Sequence, residues 1–462
     1  MLKSLSRPLV ALVLLFALGN QAAAERPPLD EMPHGFQIAF WLNQAALAFN
    51  EGDYADWARA TEKLHALRPN NQDFMSHLVQ AYARLGETSK AFEMMLTMQQ
   101  QGLHQDWDEL DAVASLRDHR LYSHLNELMT RAGEPFGRVE EFARLSGEIR
   151  MPEAMTQDPD SGRFFVGTIG DGLILSSTDG AEWETFASAE DVDGLMAVFD
   201  LAVDAERGQL WVATAPVPQF SGFDRHRDQP AGLLRFDLAS GELIEKVSVA
   251  PAQGSNPVIG SLVVANDGTV FAADTRQPVL YRLPPGGSTL EPFFGHHNIS
   301  SQRGLALSED GSKLYVADYE VGILVIGTGE QQQAWKLHVP ENLNEGGIDG
   351  LYWWDGHLVA IQNGISPQRV LRLQLGPDGL GVVNVAPVVA GLEAFDTPTF
   401  GTMVDNDLVF FAVSHWGHVD SRGVPLADEL PEVPMLRTDI GSPELLSVGG
   451  EMIDEMQRRQ GN

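Results

Sequence analysis

The sequence contains no cysteine. This excludes a disulfide framework, a thiolate metal centre and lipidation at cysteine, so stability must come from packing or from bound metal. Positive charge is scarce as well. Only 31 lysines and arginines stand against 64 aspartates and glutamates, a net charge of −33. No basic stripe is present to displace counterions from nucleic acid, and anionic membrane surfaces are disfavoured on the same ground. Cations, basic proteins and neutral solutes are easier partners. The chain also lacks a glycine-rich phosphate loop, a serine nucleophile elbow and a zinc-type histidine cluster. The apolar run Leu9–Leu18 is too short to span a bilayer comfortably.

What is present begins with a leader. Lys3 and Arg7 precede that apolar run, and Ala22-Ala23-Ala24 follow it as a small-residue cleavage site. Residues 1–24 therefore read as a cleavable signal peptide that sends the mature chain to the periplasm or beyond, with no transmembrane segment left. Residues 25–36 form a proline-containing linker. Over residues 37–133 the apolar period is helical, with many Ala, Leu, Met and Glu and few β-branched residues. Gly52 and Gly86 occupy equivalent turns about 34 residues apart, the tetratricopeptide period. This block resembles a short tetratricopeptide-type solenoid, with a third, shorter helix pair at 107–116 and 121–131. Such solenoids bind protein partners on a concave face. Met94, Met95 and Met98 read as its core.

Residues 138–440 change character. Short apolar strands alternate with Gly, Asp and Pro turns, and one phrase recurs: RFFVGT, QLWVAT, TVFAAD, KLYVAD, HLVAIQ and LVFFAV. Units open at Glu153, Asp200, Ser261, Arg303, Asp349 and Thr399. Spacings of about 40–60 residues predict six four-stranded propeller blades. The ring is expected to close through a strand at 138–145, ahead of blade one, which completes blade six and hides its edge. Residues 441–462 are a tail, expected to be a short polar helix or frayed chain over 451–460. The fold class is thus an all-α repeat domain followed by an all-β six-bladed propeller.

The phrases PEAMTQDPDSGRFFVGT, LSEDGSKLYVADYEVGI and GGIDGLYWW make the second part resemble the propellers of the senescence marker protein 30 and gluconolactonase family. The resemblance implies one functional residue per blade at the start of the innermost strand, around a central channel. It implies a divalent cation, commonly calcium, held by Glu153, Asp200 and Asp349, with Asp349 also the catalytic base of a lactonase. Oxygen donors from separate blades suit a hard cation that polarises a lactone carbonyl. Where the family carries an asparagine ligand, this chain has Arg303, which cannot coordinate calcium and stands as a catalytic-site candidate beside Asp349. Ser261 and Thr399 are further ligand-binding candidates at blade starts. His415, His296 and His297 are candidates for a general base or ligand at the channel mouth. Two functions stay open: a metal-dependent hydrolase of a lactone or small ester, and a non-catalytic ligand- or protein-binding adaptor in which Arg303 replaces the metal.

Overall fold

The computed structural model describes residues 28–226, 229–249, 257–330 and 332–441. The expected leader and the expected tail helix lie outside them. Five α-helices come first: α1 (His34–Glu51), α2 (Tyr54–Leu67), α3 (Gln72–Leu85), α4 (Thr88–Gln100) and α5 (Arg120–Arg131). Gly52 and Gly86 both end their helices in the left-handed conformation, at φ 74° and 73°, where a side chain would be strained. Asp53 and Asn71 cap the next helices by accepting from Asp56 N and Phe74 N. The helical core gathers Trp57, Met75, Met95, Met98 and Trp107. The expected third pair is only half α-helical, because Trp107–Glu109 and Asp111–Leu116 are 3-10 turns.

Six four-stranded antiparallel sheets follow. Blade one is β2 (Pro152–Gln157) to β5 (Glu184–Ser188), and blade two is β6 (Ala197–Asp204) to β9 (Leu243–Ser248). Blade three is β10 (Ile259–Val264) to β13 (Glu291–Gly295), and blade four is β14 (Gln302–Leu307) to β17 (Ala334–Lys336). Blade five is β18 (Ile348–Trp354) to β21 (Val382–Ala390). Blade six takes β22 (Gly401–Val404), β23 (Asp407–Phe411) and β24 (Val433–Asp439) from the end of the chain and β1 (Glu140–Leu145) from before blade one. The pairing Glu140↔Arg437 to Leu145↔Val433 closes the ring at the expected place. Apolar side chains of adjacent sheets fill the wedges between blades, such as Ala154 and Phe165 against Val198 and Val212.

The repeated phrase is legible as chemistry. In KLYVAD and TVFAAD the last residue, Asp318 or Asp274, accepts several backbone N–H groups from two loops at once. Asp318 takes Ser300 N at 2.6 Å, Ser301 N at 3.0 Å, and Glu320 N and Val321 N at 3.0 Å. It thereby ties the loop entering blade four to the loop after its second strand. In an antiparallel blade both loops lie on one face of the disc, the face on which the innermost strands begin.

The helical domain sits on that face, against blades four and five. Ile365 belongs to the helical core. Ser366 O accepts from His104 N at 2.6 Å, and Ser366 N donates to Gln72 Oε1 at 2.7 Å. Buried Arg369 donates to Gln101 O at 3.1 Å, and Asn344 donates to Gln101 Oε1 at 2.9 Å. The opposite side of the mouth is walled by the long loops of blades two and six, which meet where Gln219 Nε2 donates to Ser421 O at 3.1 Å.

Candidate functional site

The innermost strands carry the site because of a repeated irregularity. In each of blades one to five the pairing of first and second strands slips near the strand start. The slips lie at Pro152/Ala154, Val198/Asp200, Ile259/Ser261, Gln302/Leu305 and Ile348/Gly350. The extra residue of a β-bulge leaves the ladder and its side chain is re-aimed. Those residues include Glu153, Arg303 and Asp349. In blades two and three they are Phe199 and Gly260, so Asp200 and Ser261 are one residue further along. The chain enters two of these strands through strained backbone: Met151 has φ 55° and Thr397 φ 61°, each two residues before Glu153 and Thr399.

Glu153, Arg303, Asp349 and Thr399 come together at the channel mouth. Asp349 Oδ2 accepts from Asn363 Nδ2 at 2.8 Å and Thr399 Oγ1 at 3.1 Å, while Arg303 Nε lies 3.9 Å from Asp349 Oδ1. Buried Glu153 accepts from the Trp416 indole at 3.0 Å. Burial, and then the Asp349 charge, push the Glu153 carboxyl up to about 8, with Trp416 and Arg303 pulling the other way. It is therefore a neutral acid at pH 7, able to donate a hydrogen bond. The Arg303 guanidinium lies 5.7 Å from the Tyr319 ring centre and gives its Nε hydrogen to Ser301 Oγ at 3.2 Å. Its two terminal nitrogens make no hydrogen bond among the described residues, and the side chain is 38% exposed.

Asp200 and Ser261 belong to a deeper compartment. Asp200 accepts Leu201 N at 2.8 Å and Leu262 N at 2.7 Å. Burial raises its carboxyl to about 7, against these bonds and one from Ser261. Both residues line an axial cavity of about 150 Å³ with Thr156, Tyr352 and Thr402.

The histidines have partners of their own. His415 Nδ1 accepts Met151 N at 3.1 Å and its Nε2 faces Pro431 O at 2.8 Å, so the imidazole is the neutral Nε2–H form with both nitrogens engaged. Burial lowers its pKa, and its bond to Met151 N ties it to the strained entry to blade one. His296 and His297 stack on each other at 4.4 Å and reach His34 of α1, at the seam between domains. The sequence singles out neither Asn363 nor Trp416. Asn363 holds Asp349 and accepts from Tyr319 Oη at 3.0 Å.

A divalent cation does not fit these residues. Among the described residues no three His, Asp or Glu side chains are placed to hold a metal. The bulge offset puts Asp200 below the mouth, Asn363 Oδ1 is taken by Tyr319, and a guanidinium occupies the blade-four position.

No family model matches the chain, and no curated protein matches it. Among solved structures it is similar to a gluconolactonase from Xanthomonas campestris, at 17% identity over 65% of this chain and 94% of that one, with TM-score 0.42. It is similar to a calcium-binding protein, regucalcin, from Agrobacterium tumefaciens, at 16% identity over 66% and 97%, with TM-score 0.44. A luciferin-regenerating enzyme is similar at 14% identity over 66% and 95%, with TM-score 0.43. The likeness concerns architecture alone.

One expectation follows at once from Glu153. Its folded pKa of about 8 lies above the ordinary 4.5, so its contribution to stability is full below about 4.5 and is lost as pH rises through about 8. Glu153→Gln keeps the Trp416 bond and mimics the neutral acid. The variant should melt at or above the wild-type temperature at pH 8 and show a flatter pH dependence. A wild-type-like pH profile in Glu153→Gln would refute the assignment.

Proposed function

We propose that the chain is an exported, non-catalytic binding protein whose channel mouth holds a small carboxylate-bearing solute without a metal, while the helical domain engages a protein partner. The observation that carries the reading is the guanidinium fork of Arg303. It faces the mouth with both terminal nitrogens unengaged among the described residues, beside an acid that is neutral at pH 7. A planar fork binds a carboxylate through two parallel hydrogen bonds. Neutral Glu153 and the partly exposed Trp416 add a donor and an apolar platform on the opposite side of the mouth.

The hydrolase reading keeps one observation in its favour. An acid raised to about 8 beside the Asp349 side chain is an arrangement that acid–base opening of a lactone would use. A thermal-shift screen of the mature protein with D-gluconate and other small carboxylates, against matched neutral lactones, separates the readings. At least one carboxylate should raise the melting temperature of the wild type and not of Arg303→Met. Catalysed ring opening of a lactone, with no carboxylate response, would overturn the binding reading.

A further inference from the structure

Helix α1 is unlike its surroundings. In a chain with 21% charged residues it has no Asp, Glu, Lys or Arg between His34 and Glu51. Its inner face packs through Ile38, Trp41, Leu42 and Ala45 on the helical core. Its outer face should be polar, because the terminal helix of a repeat array caps the stack. Instead Phe36 is 62% exposed, Phe40 42% and Leu47 50%. At helical spacing these three share one stripe, with Ala39 and Asn43 between them. Leu47 also borders a groove of about 190 Å³ between α1 and α2, floored by Trp41 and Ala48. Along its far edge stand Glu51, Asp53 and Asp56, with Arg59 the one cation, paired to Asp56.

We infer that the outer face of α1 and the α1–α2 groove form a docking surface for an amphipathic helix of another protein, apolar on one face and basic along one flank. The inference rests on the proposed role of the helical domain and names the partner's chemistry. The apolar stripe supplies anchor positions at helical spacing, the mode by which a partner helix lies in a groove. The acidic edge sets its charge and its direction. A second copy of this chain is the poorer occupant. It would bring another net charge of −33 and meet the acidic edge with its own.

The test uses the mature protein and two synthetic helical peptides with the same leucine face, one flanked by lysines and one by glutamates. Fluorescence anisotropy at low salt should show the lysine peptide binding at least about tenfold more tightly, with the gap closing as salt screens the edge. The double variant Phe36→Ser/Phe40→Ser, altered only at exposed positions, should lose at least about tenfold in affinity at an unchanged melting temperature. Glu51→Lys should narrow the difference between peptides. Equal binding of both peptides, or of neither, overturns the inference. So does a wild-type dimer in sedimentation that the serine variant dissociates, which would assign the stripe to a second copy. The channel reading stands apart, since carboxylate stabilisation is measured without peptide and Arg303→Met should leave peptide affinity unchanged.

Discussion

Arg369→Met should lower the melting of the helical domain and the propeller together, as a single transition. Arg369 starts the third strand of blade five and is buried, with no carboxylate paired to it among the described residues. Burial lowers its pKa to about 10. Its Nε donates to Gln362 Oε1 at 2.7 Å and its Nη1 to Gln101 O at 3.1 Å. Gln101 follows α4 directly, so that carbonyl lies at the negative end of the helix dipole. The Gln362 amide in turn donates to Asn344 O at 2.8 Å and Gly346 O at 2.6 Å, and Asn344 donates back to Gln101 Oε1. Methionine fills the volume and leaves two buried acceptors without donors, a loss of about 1–3 kcal/mol each. In a chain of this size that is a fall of several degrees. Calorimetry of the wild type should show one endotherm, displaced downward in the variant. Two well-separated endotherms, with only the propeller affected, would show that the domains are independent.

The blades were readable because each repeats a two-strand phrase with a fixed turn. Ser308, Asp310 and Gly311 build one such hairpin, with Ser308 Oγ donating to Asp310 Oδ1 at 2.7 Å and Gly311 at φ 68°. The closing strand was readable because a ring with a three-stranded last blade needs a fourth from elsewhere. Register at the strand starts was not readable. An extra bulge residue leaves no compositional mark, so Asp200 looked equivalent to Glu153 although Phe199 holds that place. The surroundings of the histidines were unreadable for a related reason. An imidazole with both nitrogens bonded to backbone, as in His415, has the same letter as one free to titrate. The seam between domains was invisible because its bonds join residues such as Arg68 and Ser300, 3.3 Å apart in space and far apart in sequence.

That seam reaches the site. Arg68 of the helical domain donates to Ser300 Oγ and lies 3.7 Å from Glu320, while the neighbouring Ser301 receives Arg303 Nε. The fork is thus held by a loop that the helical domain touches, and its charge is the element on which the functional account turns. Arg303→Asn removes that charge and supplies a neutral oxygen in its place. The Arg303 charge pulls the Glu153 pKa down, so its loss should push Glu153 further up and make the site more strongly proton-binding. A divalent cation would then compete with that proton, with Glu153, Asp349 and the new amide oxygen as hard donors. The carboxylate response should vanish in the same variant.

Calcium titration of the melting temperature, wild type beside Arg303→Asn at pH 8, tests this most directly. The wild type should not respond to millimolar calcium, and the variant should be stabilised as calcium rises. Tight calcium binding by the wild type, unchanged in Arg303→Asn, would contradict a site whose positive charge is its own arginine.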